Sequence, residues 1–551
     1  MSTPAAPPPR GQARRIAVQV LTVLGGLLIV AALVVPNDLN LLTPWAFPRI
    51  PVEALVGFGL VLLLPARARR VVAVIAGILL ALLTIIKITD MGFIVAFERP
   101  FDLVTDWSFF GPAFGLLEDS AGHAGAVAAV IGIAVLAVGF AVALVFASLR
   151  LTKLAAGHRT TAFRTLAVLS VIWLVCAVFG LQFAENQPLA ARTTASLAYH
   201  DAVQVGQEIK DEKAFAQESS VDAYRNTAPD QLLTALHGKN VLLVFVESYG
   251  RVAVQDSDIA PKVDAVLDSG TASLRAAGFD ARSGFLTSST TGGGSWLAHS
   301  TLETGLWINN QKRYTTVTSS DRLTMASAFR HAGWRTVNDQ PANFADWPEG
   351  EFYDYSQRYD FRSIGYKGPG FGYASMPDQF AMAQFQQAEL AKPGHPPVMG
   401  EIDLVSSHWP WAPLPRMVGW NELGDGSIFG PMPAQGKTTG EVWSDPAKVR
   451  AAYGDSIVYS LDTLISYLRT YGDDNTVLLF LGDHQPNTAV TGGEGAGRDV
   501  PISIVAKDPA VLQAISGWNW QPGLHPGPQA PVWPMSDFRD RFFAAYSPKS
   551  P

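Results

Sequence analysis

The hydrophobic positions of the chain follow two different patterns, one before and one after about residue 185. A helix needs about 20 apolar residues to cross a bilayer, and four of five apolar stretches approach or reach that length. The second stretch is short, so we expect it to extend into flanking residues such as Trp45 and Phe47. The pattern predicts a transmembrane domain of five helices over residues 1–185. The stretches are Ile16–Val35, Val52–Leu64, Val71–Ile88, Ala126–Phe146 and Leu166–Phe183.

Basic residues predict the orientation of this domain. They lie before the first stretch, between the second and third, and between the fourth and fifth. Because cytoplasmic loops carry an excess of Lys and Arg, five spans place these three segments inside. We therefore expect a multi-pass protein of the cytoplasmic (inner) membrane whose remaining chain is extracytoplasmic. A cleaved signal peptide is the alternative for the first stretch, but its apolar core exceeds the usual ~7–15 residues.

A polar segment over residues 186–235 follows, and it predicts a helical linker. Beyond it, the runs Val241–Val246 and Val477–Leu481 are continuously apolar, as in strands buried on both faces. Helical patterns separate the apolar runs, and this alternation predicts an α/β domain with a mostly parallel central sheet over residues 236–510. We expect the Pro-rich tail, residues 511–551, to pack on that domain.

Two weaker runs complete the predicted strands. Trp334–Val337 is short, and Glu401 and Asp403 interrupt the apolar pattern of Val398–Leu404. The helical patterns between the runs are Ala260–Ala277, Arg322–Ala332, Pro377–Ala391 and Ala447–Tyr471.

Composition adds two exclusions to this picture. Only 16% of the 551 residues are charged, against about 25% in average soluble proteins, and the apolar stretches of the first 185 residues account for part of the deficit. The formal net charge of −7 argues against a nucleic-acid partner, because no excess of positive charge is available to neutralise phosphates. The one cysteine, Cys176, lies in the fifth apolar stretch. The predicted outer domain must therefore fold without disulfides.

Ionisable residues follow three of the predicted strands. Glu247, His408 and the pair Asp483-His484 each come after a different apolar run. Ligands of open α/β sheets bind beyond the carboxyl ends of the strands. A single polar residue at a strand end is commonly just solvated, but three such ends in one sheet indicate a functional site.

A glycine run supplies a candidate nucleophile. In TTGGGSWLAH the glycines end at Ser295, where a helical pattern begins. Glycines let the backbone approach a ligand closely, and a helix N-terminus favours an anion. Ser295 is therefore placed to attack phosphorus. Thr290 and Thr291 are close enough along the chain to be alternative nucleophiles.

These residue types fit metal-assisted chemistry. Glu247, Asp483 and His484 offer two oxygens and a nitrogen to a divalent cation such as Mn²⁺, Mg²⁺ or Zn²⁺. Ser295 as a fourth ligand would be ionised without a neighbouring base. His408 could hold the transferred phosphate or protonate the leaving oxygen. The alternatives are a structural histidine at 408 and a helix N-cap at the Asp483-His484 pair.

With these motifs the sequence resembles the sulfatase-like branch of the alkaline phosphatase superfamily. It is most similar to the membrane phosphoglycerol transferases of the lipoteichoic acid synthase type. The resemblance lies in the segments VFVESYG, SSHWPW, LGDHQP and GGGSWLAH. It implies five transmembrane helices followed by an extracellular catalytic domain, and one divalent metal ion, with Mn²⁺ favoured.

The resemblance also implies residue roles. Glu247, Asp483 and His484 match the metal ligands, and His408 matches a histidine that contacts substrate. Ser295 stands where the synthases have a threonine nucleophile, which leaves Thr290 and Thr291 open. Trp296, Trp347 and Arg498 are weaker candidates for substrate contacts, and packing or a surface position explains them equally well.

The implied activity is a membrane-anchored, metal-dependent transferase with a covalent serine intermediate. It would move a phosphoglycerol or related phospho-alcohol group from a phospholipid such as phosphatidylglycerol to a cell-envelope glycan or glycolipid. The alternatives are a phosphoethanolamine transferase, a sulfatase-like phosphodiesterase or hydrolase, and a non-catalytic sensor of lipid or glycan headgroups. Phosphoethanolamine transferases of this superfamily usually carry several disulfides in the outer domain, where this chain has no cysteine. The chain also lacks the C/S-x-P-x-R motif of the true sulfatases, which disfavours sulfate-ester hydrolysis. The sequence leaves the acceptor, the alcohol, the native metal and the oligomeric state open.

Overall fold

The computed structural model describes residues 10–97, 99–184, 187–255, 257–492 and 497–547. The chain divides into two compact units, Met1–Asp211 and Glu212–Pro551. Each has its own hydrophobic core. The boundary expected at residue 185 falls on residues 185 and 186, which lie outside the described ones.

The first unit is built mainly from apolar helices. Four segments are long and apolar enough to cross a membrane: Arg14–Val34, Ala66–Phe97, Ala121–Gly157 and Arg159–Val178. They form a membrane anchor. The helices of this unit are α1 (Arg10–Val34), α2 (Val52–Leu63), α3 (Ala66–Phe97), α4 (Phe110–Gly157), α5 (Arg159–Val178) and the start of α6 (Thr193–Ser220).

The helix α2 is shorter than the sequence predicts. Its 12 residues span about 18 Å at ~1.5 Å per residue, which is less than the ~30 Å of a hydrocarbon core. The expectation that it extends into Trp45 and Phe47 is wrong. Trp45 lies in a separate 3₁₀ turn, Pro44–Ala46, and Pro51 precedes the first helical residue. Proline fits only the first turn of a helix, so the helix cannot continue backwards through this segment.

Small residues let the helices of the first unit pack closely. A Cβ on Gly77 of α3 would lie 2.7 Å from Cα of Val145 on α4, so only glycine fits at this crossing. Short strands lie between the helices. They are β1 (Ile50–Pro51), which pairs with β4 (Ala190–Ala191), and β2 (Gln182–Ala184), which pairs with β3 (Gln187–Pro188).

The second unit is centred on a nine-stranded sheet. Its strand order is β12-β6-β11-β10-β5-β9-β7-β8, and β13 also pairs with β6. The strands are β5 (Asn240–Val246), β6 (Asp280–Thr287), β7 (Arg335–Gln340), β8 (Gln357–Asp360), β9 (Val398–Leu404), β10 (Thr476–Gly482), β11 (Asp499–Ala506), β12 (Gln521–Pro522) and β13 (Val532–Pro534).

Helices cover both faces of this sheet. Residues of α7 and α15 pack on one face, and residues of α8, α10, α17 and α18 pack on the other. The helices are α7 (Ala260–Ala276), α8 (Ser295–Thr304), α9 (Gln311–Thr318), α10 (Met325–His331), α11 (Phe361–Ile364), α12 (Asp378–Phe385), α13 (Met432–Gln435), α14 (Thr439–Val442), α15 (Pro446–Tyr471), α16 (Thr488–Thr491), α17 (Pro509–Ala514) and α18 (Phe538–Tyr546).

The sheet is parallel in one half and mixed in the other. The strands β10, β5, β9, β7 and β8 run parallel to one another, whereas β11 runs antiparallel to both β10 and β6. The α/β class is confirmed, and the expectation of a mostly parallel sheet holds for the half that contains the four predicted strands. The acidic residues Glu401 and Asp403 do not interrupt β9, because both side chains are accommodated on one face of the strand.

A close backbone contact at the end of β10 yields a test of this fold. A Cβ on Gly482 would overlap the backbone carbonyl oxygen of Tyr249, whereas a Cβ on Gly440 in α14 meets nothing within 4 Å. We expect Gly482→Ala to lower the free energy of unfolding by about 1–3 kcal/mol, because backbone must move to relieve the overlap. Gly440→Ala is expected to leave it unchanged or raise it slightly. Thermal denaturation of both variants checks this, and equal melting temperatures would contradict it.

Candidate metal centre and nucleophile

Two neighbouring strands bring three ionisable side chains together. The strands β5 and β10 are parallel and in register, with Val246 opposite Gly482, so the residues that follow them meet at one edge of the sheet. The ligand atoms of Glu247, Asp483 and His484 all lie within 4.8 Å of one another. His484 Nε2 is 3.5 Å from Glu247 Oε1 and 3.4 Å from Asp483 Oδ2.

Backbone groups orient the two ligands that follow β10. Asp483 Oδ1 accepts hydrogen bonds from the backbone N–H groups of Ser248, at 2.7 Å, and His484, at 2.8 Å. Asp483 Oδ2 is buried without a hydrogen-bond partner among the described residues. His484 Nδ1 lies 2.8 Å from the carbonyl oxygen of Gln485. That carbonyl holds the proton on Nδ1. Nε2, which faces the carboxylates, is then unprotonated and can offer its lone pair to a metal ion.

This arrangement fits a divalent cation. Two carboxylates and one imidazole form an oxygen and nitrogen donor set typical of Mn²⁺ or Zn²⁺. The buried, unpartnered Oδ2 of Asp483 is the kind of atom that a bound ion satisfies.

The turn after β5 is held in a sparsely populated conformation. Ser248 has a positive φ of 56°, which costs energy for a non-glycine residue. Its hydroxyl donates to Glu247 Oε1 at 2.7 Å, and the Tyr453 hydroxyl donates to the Ser248 carbonyl oxygen at 2.8 Å. Ser248 and Tyr453 thus fix Glu247 in place. Sequence reasoning missed both residues, because only the fold brings α15 beside this turn.

The glycine loop places Ser295 at the same cluster. The backbone N–H of Gly292 donates to the Gln485 carbonyl oxygen at 3.0 Å. Gly294 adopts a positive φ of 78° directly before α8 begins at Ser295, a conformation that favours glycine. Ser295 Oγ donates to Glu247 Oε2 at 3.2 Å and lies 3.2 Å from His484 Nε2.

The alternative nucleophiles have other surroundings. The Thr290 hydroxyl donates to the carbonyl oxygen of Gly293 and so closes the glycine loop on itself. Thr291 is half-buried in that loop. Ser295 is the one of the three whose hydroxyl hydrogen-bonds to the metal-ligand cluster among the described residues.

Burial and charge act against one another at the cluster. Burial would raise the pKa of Glu247, but His408, His484 and the hydroxyls of Ser248 and Ser295 outweigh it and lower that pKa. The pKa of Asp483 is raised, first by burial and then by the charge of Glu247. Two buried carboxylates this close repel each other, and a cation between them removes that cost.

His408 lies at the end of the third predicted strand. The Ser407 hydroxyl donates to the Glu247 carbonyl oxygen at 2.6 Å and ties the end of β9 to that of β5. The His408 ring stacks on Tyr373, with centroids 3.8 Å apart and planes 15° from parallel. Its Nδ1 lies 2.6 Å from the Trp409 carbonyl oxygen, which leaves Nε2 available to a substrate. Tyr373 gave no signal in the sequence.

The three weaker candidates have partners away from the metal ligands. Their side chains make hydrogen bonds within their own unit, and their assignment to substrate stays a prediction. The bonds run from Trp296 Nε1 to Gln311 Oε1 (3.0 Å), from Trp347 Nε1 to the Tyr314 hydroxyl (3.0 Å) and from Arg498 Nη1 to the Ser289 carbonyl oxygen (3.3 Å).

Comparison with known proteins gave matches among solved structures alone. No family model and no curated protein matches the chain. The lipoteichoic acid synthase LtaP of Listeria monocytogenes is similar at 15% identity and a TM-score of 0.38, over 62% of this chain and 79% of that chain.

Two further structures have comparable similarity. The phosphoglycerol transferase GacH of Streptococcus pyogenes, in complex with sn-glycerol-1-phosphate, matches at 15% identity and a TM-score of 0.34, over 54% of this chain and 74% of that chain. The C-terminal periplasmic domain of EptC from Escherichia coli, in complex with Zn, matches at 12% identity and a TM-score of 0.38, over 56% of this chain and 82% of that chain.

The donor set predicts stabilisation by a divalent cation. A ligand that binds the native state at 100 times its Kd raises the free energy of unfolding by about 2.7 kcal/mol. We expect Mn²⁺ to raise the melting temperature of the purified protein and Asp483→Asn to reduce that rise. Asp474→Asn, which changes a carboxylate with 91% of its side chain exposed, is the matched control. An undiminished rise in Asp483→Asn would contradict the assignment of this ligand.

Proposed function

We propose that the protein is a membrane-anchored, metal-dependent transferase of phosphoglycerol or a related phospho-alcohol group. The donor would be a membrane phospholipid such as phosphatidylglycerol, and the acceptor a hydroxyl of a cell-envelope glycan or glycolipid. The observation that carries the proposal is the position of Ser295 Oγ, 3.2 Å from both Glu247 Oε2 and His484 Nε2, at the N-terminus of α8. A hydroxyl so placed is a nucleophile for phosphorus.

Glu247, Asp483 and His484, with Ser295 as the fourth ligand, would hold one divalent cation. Mn²⁺ is favoured, and Mg²⁺ and Zn²⁺ are the alternatives. Such a cation would lower the pKa of the Ser295 hydroxyl and offset negative charge on the phosphoryl oxygens.

In the first step, Ser295 Oγ forms a bond to the phosphorus of the donor phosphodiester. The bond between phosphorus and the diacylglycerol oxygen breaks, Ser295 loses its proton to solvent, and His408 donates a proton to the leaving oxygen. Diacylglycerol therefore leaves as a neutral alcohol into the bilayer. The backbone N–H groups at the start of α8 favour the negative charge of the phosphoryl group.

In the second step, an acceptor hydroxyl oxygen attacks the phosphorus of the serine adduct. Its proton passes to His408, which restores the proton lost in the first step. The bond between phosphorus and Ser295 Oγ breaks, and Oγ takes up a proton from solvent. Each cycle thus moves one phospho-alcohol group and leaves the enzyme unchanged.

The helical anchor supports a lipid donor. Four apolar helices long enough to span a membrane precede the domain with the site. Anchoring holds this domain and a lipid substrate at one surface and so raises their effective concentration for each other. The distribution of basic residues favours an extracytoplasmic site, where envelope acceptors lie. The outer unit has no cysteine. This favours phosphoglycerol over phosphoethanolamine transfer, because phosphoethanolamine transferases usually carry disulfides in that domain.

The nucleophile can be tested with fluorescent phosphatidylglycerol and Mn²⁺. We expect Ser295→Ala to reduce diacylglycerol release more than ~10³-fold, as removal of a catalytic nucleophile does. Thr290→Val, which removes the hydroxyl that closes the glycine loop, is expected to retain measurable release. Release by Ser295→Ala equal to that of the wild type would sink the mechanism. A covalent adduct on Thr290 or Thr291 would instead move the nucleophile.

The proton donor can be tested by changing the leaving group. We expect His408→Gln to slow the first step with phosphatidylglycerol, followed as single-turnover release of diacylglycerol, by about 10²–10⁴-fold, the usual effect of losing a general acid. With a nitrophenyl phosphodiester the defect in single-turnover release should shrink strongly, because nitrophenolate leaves without protonation. An equal first-step defect for both donors would contradict the role of His408 as proton donor.

The orientation can be tested by cysteine labelling. Cys176 is the one native cysteine, so Cys176→Ala gives a background without thiols. In intact cells we expect a membrane-impermeant maleimide to label Ser269→Cys, at an exposed position on α7, and to leave Arg67→Cys unlabelled until the cells are opened. The opposite pattern would place the site in the cytoplasm.

A further inference from the structure

A second group of ionisable side chains lies on the sheet face that α8 covers. Glu401 and Asp403 are two residues apart on β9, so both side chains point to the same face. His299 lies on α8, four residues after Ser295. Its Nδ1 is 3.8 Å from Glu401 Oε1 and 3.6 Å from Asp403 Oδ1, and all three ligand atoms lie within 4.8 Å of one another.

Neighbouring aromatic residues hold these donor atoms in position. The His299 ring stacks on Phe245, with centroids 3.7 Å apart and planes 16° from parallel. Phe245 is the register partner of Asp403 across the pairing of β5 with β9. The Tyr355 hydroxyl donates to Glu401 Oε2 at 2.6 Å, which leaves Oε1 directed towards His299.

The acidic side chains of this group pair with His299 and have no Lys or Arg partner among the described residues. Burial raises the pKa of Glu401 to about 7 and also raises the pKa of Asp403, so a bound cation or proton would relieve their repulsion. Burial lowers the pKa of His299 to about 4, so the ring is neutral near pH 7. Glu303, which is fully buried, adds a further carboxyl whose pKa is raised by burial and by the charge of Glu401. Buried carboxylates without a counter-charge are costly.

Unpartnered polar atoms at the same place point to a ligand. Asn338 is the register partner of Glu401 across the pairing of β7 with β9, so its side chain shares that face. It is 1% exposed, and neither its Oδ1 nor its Nδ2 has a hydrogen-bond partner among the described residues. Within the same part of the chain, Asp403 Oδ1, which lies 3.6 Å from His299 Nδ1, also lacks a hydrogen-bond partner. Buried polar groups of this kind normally bind water or an ion.

We propose that His299, Glu401 and Asp403 bind a second divalent cation. Their oxygen and nitrogen donor set suits Mn²⁺ or Zn²⁺. Three protein ligands leave coordination positions for water, and such water would satisfy the amide of Asn338. The charges of Asp403 and Asp483 act on each other, so this cation would also influence the first metal centre through Asp483. The proposal concerns cation binding and is independent of the transfer reaction.

The number of bound cations tests the proposal directly. The full-length protein in detergent is brought to equilibrium by dialysis against Mn²⁺, and in a parallel arm against Zn²⁺, and bound metal is measured by mass spectrometry. We expect two ions per chain in the wild type and one in the double variant Glu401→Gln/Asp403→Asn. The double variant Glu247→Gln/Asp483→Asn is also expected to retain one, which assigns the two ions to separate sites.

A matched control excludes a general effect of altering buried acids. Asp339 is fully buried and lies next to Asn338 on β7, so it points to the opposite face of the sheet. We expect Asp339→Asn to bind two ions, like the wild type.

A single ion per wild-type chain with both metals would overturn the proposal, because the acids would then share protons instead. Two ions per chain in the double variant Glu401→Gln/Asp403→Asn would also overturn the proposal. Because the wild-type count alone decides the first of these outcomes, misfolding of a variant does not remove the test.

Discussion

The in-register parallel pairing of β5 with β10 is the contact on which the site depends. It places Glu247, which is partly exposed, next to Asp483 and His484, which are buried, and so brings two carboxylates close together. Such a cluster is stable when a cation neutralises it or when a proton does. Asp483 Oδ2 has no hydrogen-bond partner among the described residues, and His484 turns Nε2 towards the carboxylates; both features favour a cation. The chemistry proposed for Ser295 follows from its position beside that cluster.

One backbone carbonyl links the candidate metal ligands to the glycine loop that precedes Ser295. The Gln485 carbonyl oxygen lies within hydrogen-bond distance of His484 Nδ1 and also accepts the N–H of Gly292. The segment after β10 therefore sets both the orientation of a ligand and the position of the loop before α8. Gly482 contributes as well, because the absence of a side chain lets the Tyr249 backbone pass the end of β10. Backbone contacts therefore position Asp483, His484 and the loop before Ser295.

The sequence predicts the parallel half of the sheet better than the mixed half. The strands β5 and β10 are continuous apolar runs, which their burial on both faces requires. In contrast, β6 (DARSGFLT) and β11 (DVPISIVA) contain Arg282, Gly284 and Pro501, residues that argue against a central strand. They form strands because β11 pairs with β10 and β6 pairs with β11, with Trp520 packed over Gly284. Pairing of this kind is a property of the tertiary structure and leaves little trace in a local pattern.

The candidate site shows the same division. The clustering of Glu247, Asp483 and His484 was predictable, because ligands of α/β sheets bind at the strand ends that these residues follow. The residues that orient them were not: Ser248 is identified by its backbone conformation, and Tyr453 and Tyr373 by contacts across long sequence separations.

The most direct measurement of the central claim is the mass of the adduct trapped during turnover of phosphatidylglycerol, located by peptide mass spectrometry. The account predicts the mass of a glycerol phosphate group on Ser295. An unmodified Ser295 throughout turnover, with diacylglycerol still released, would contradict it.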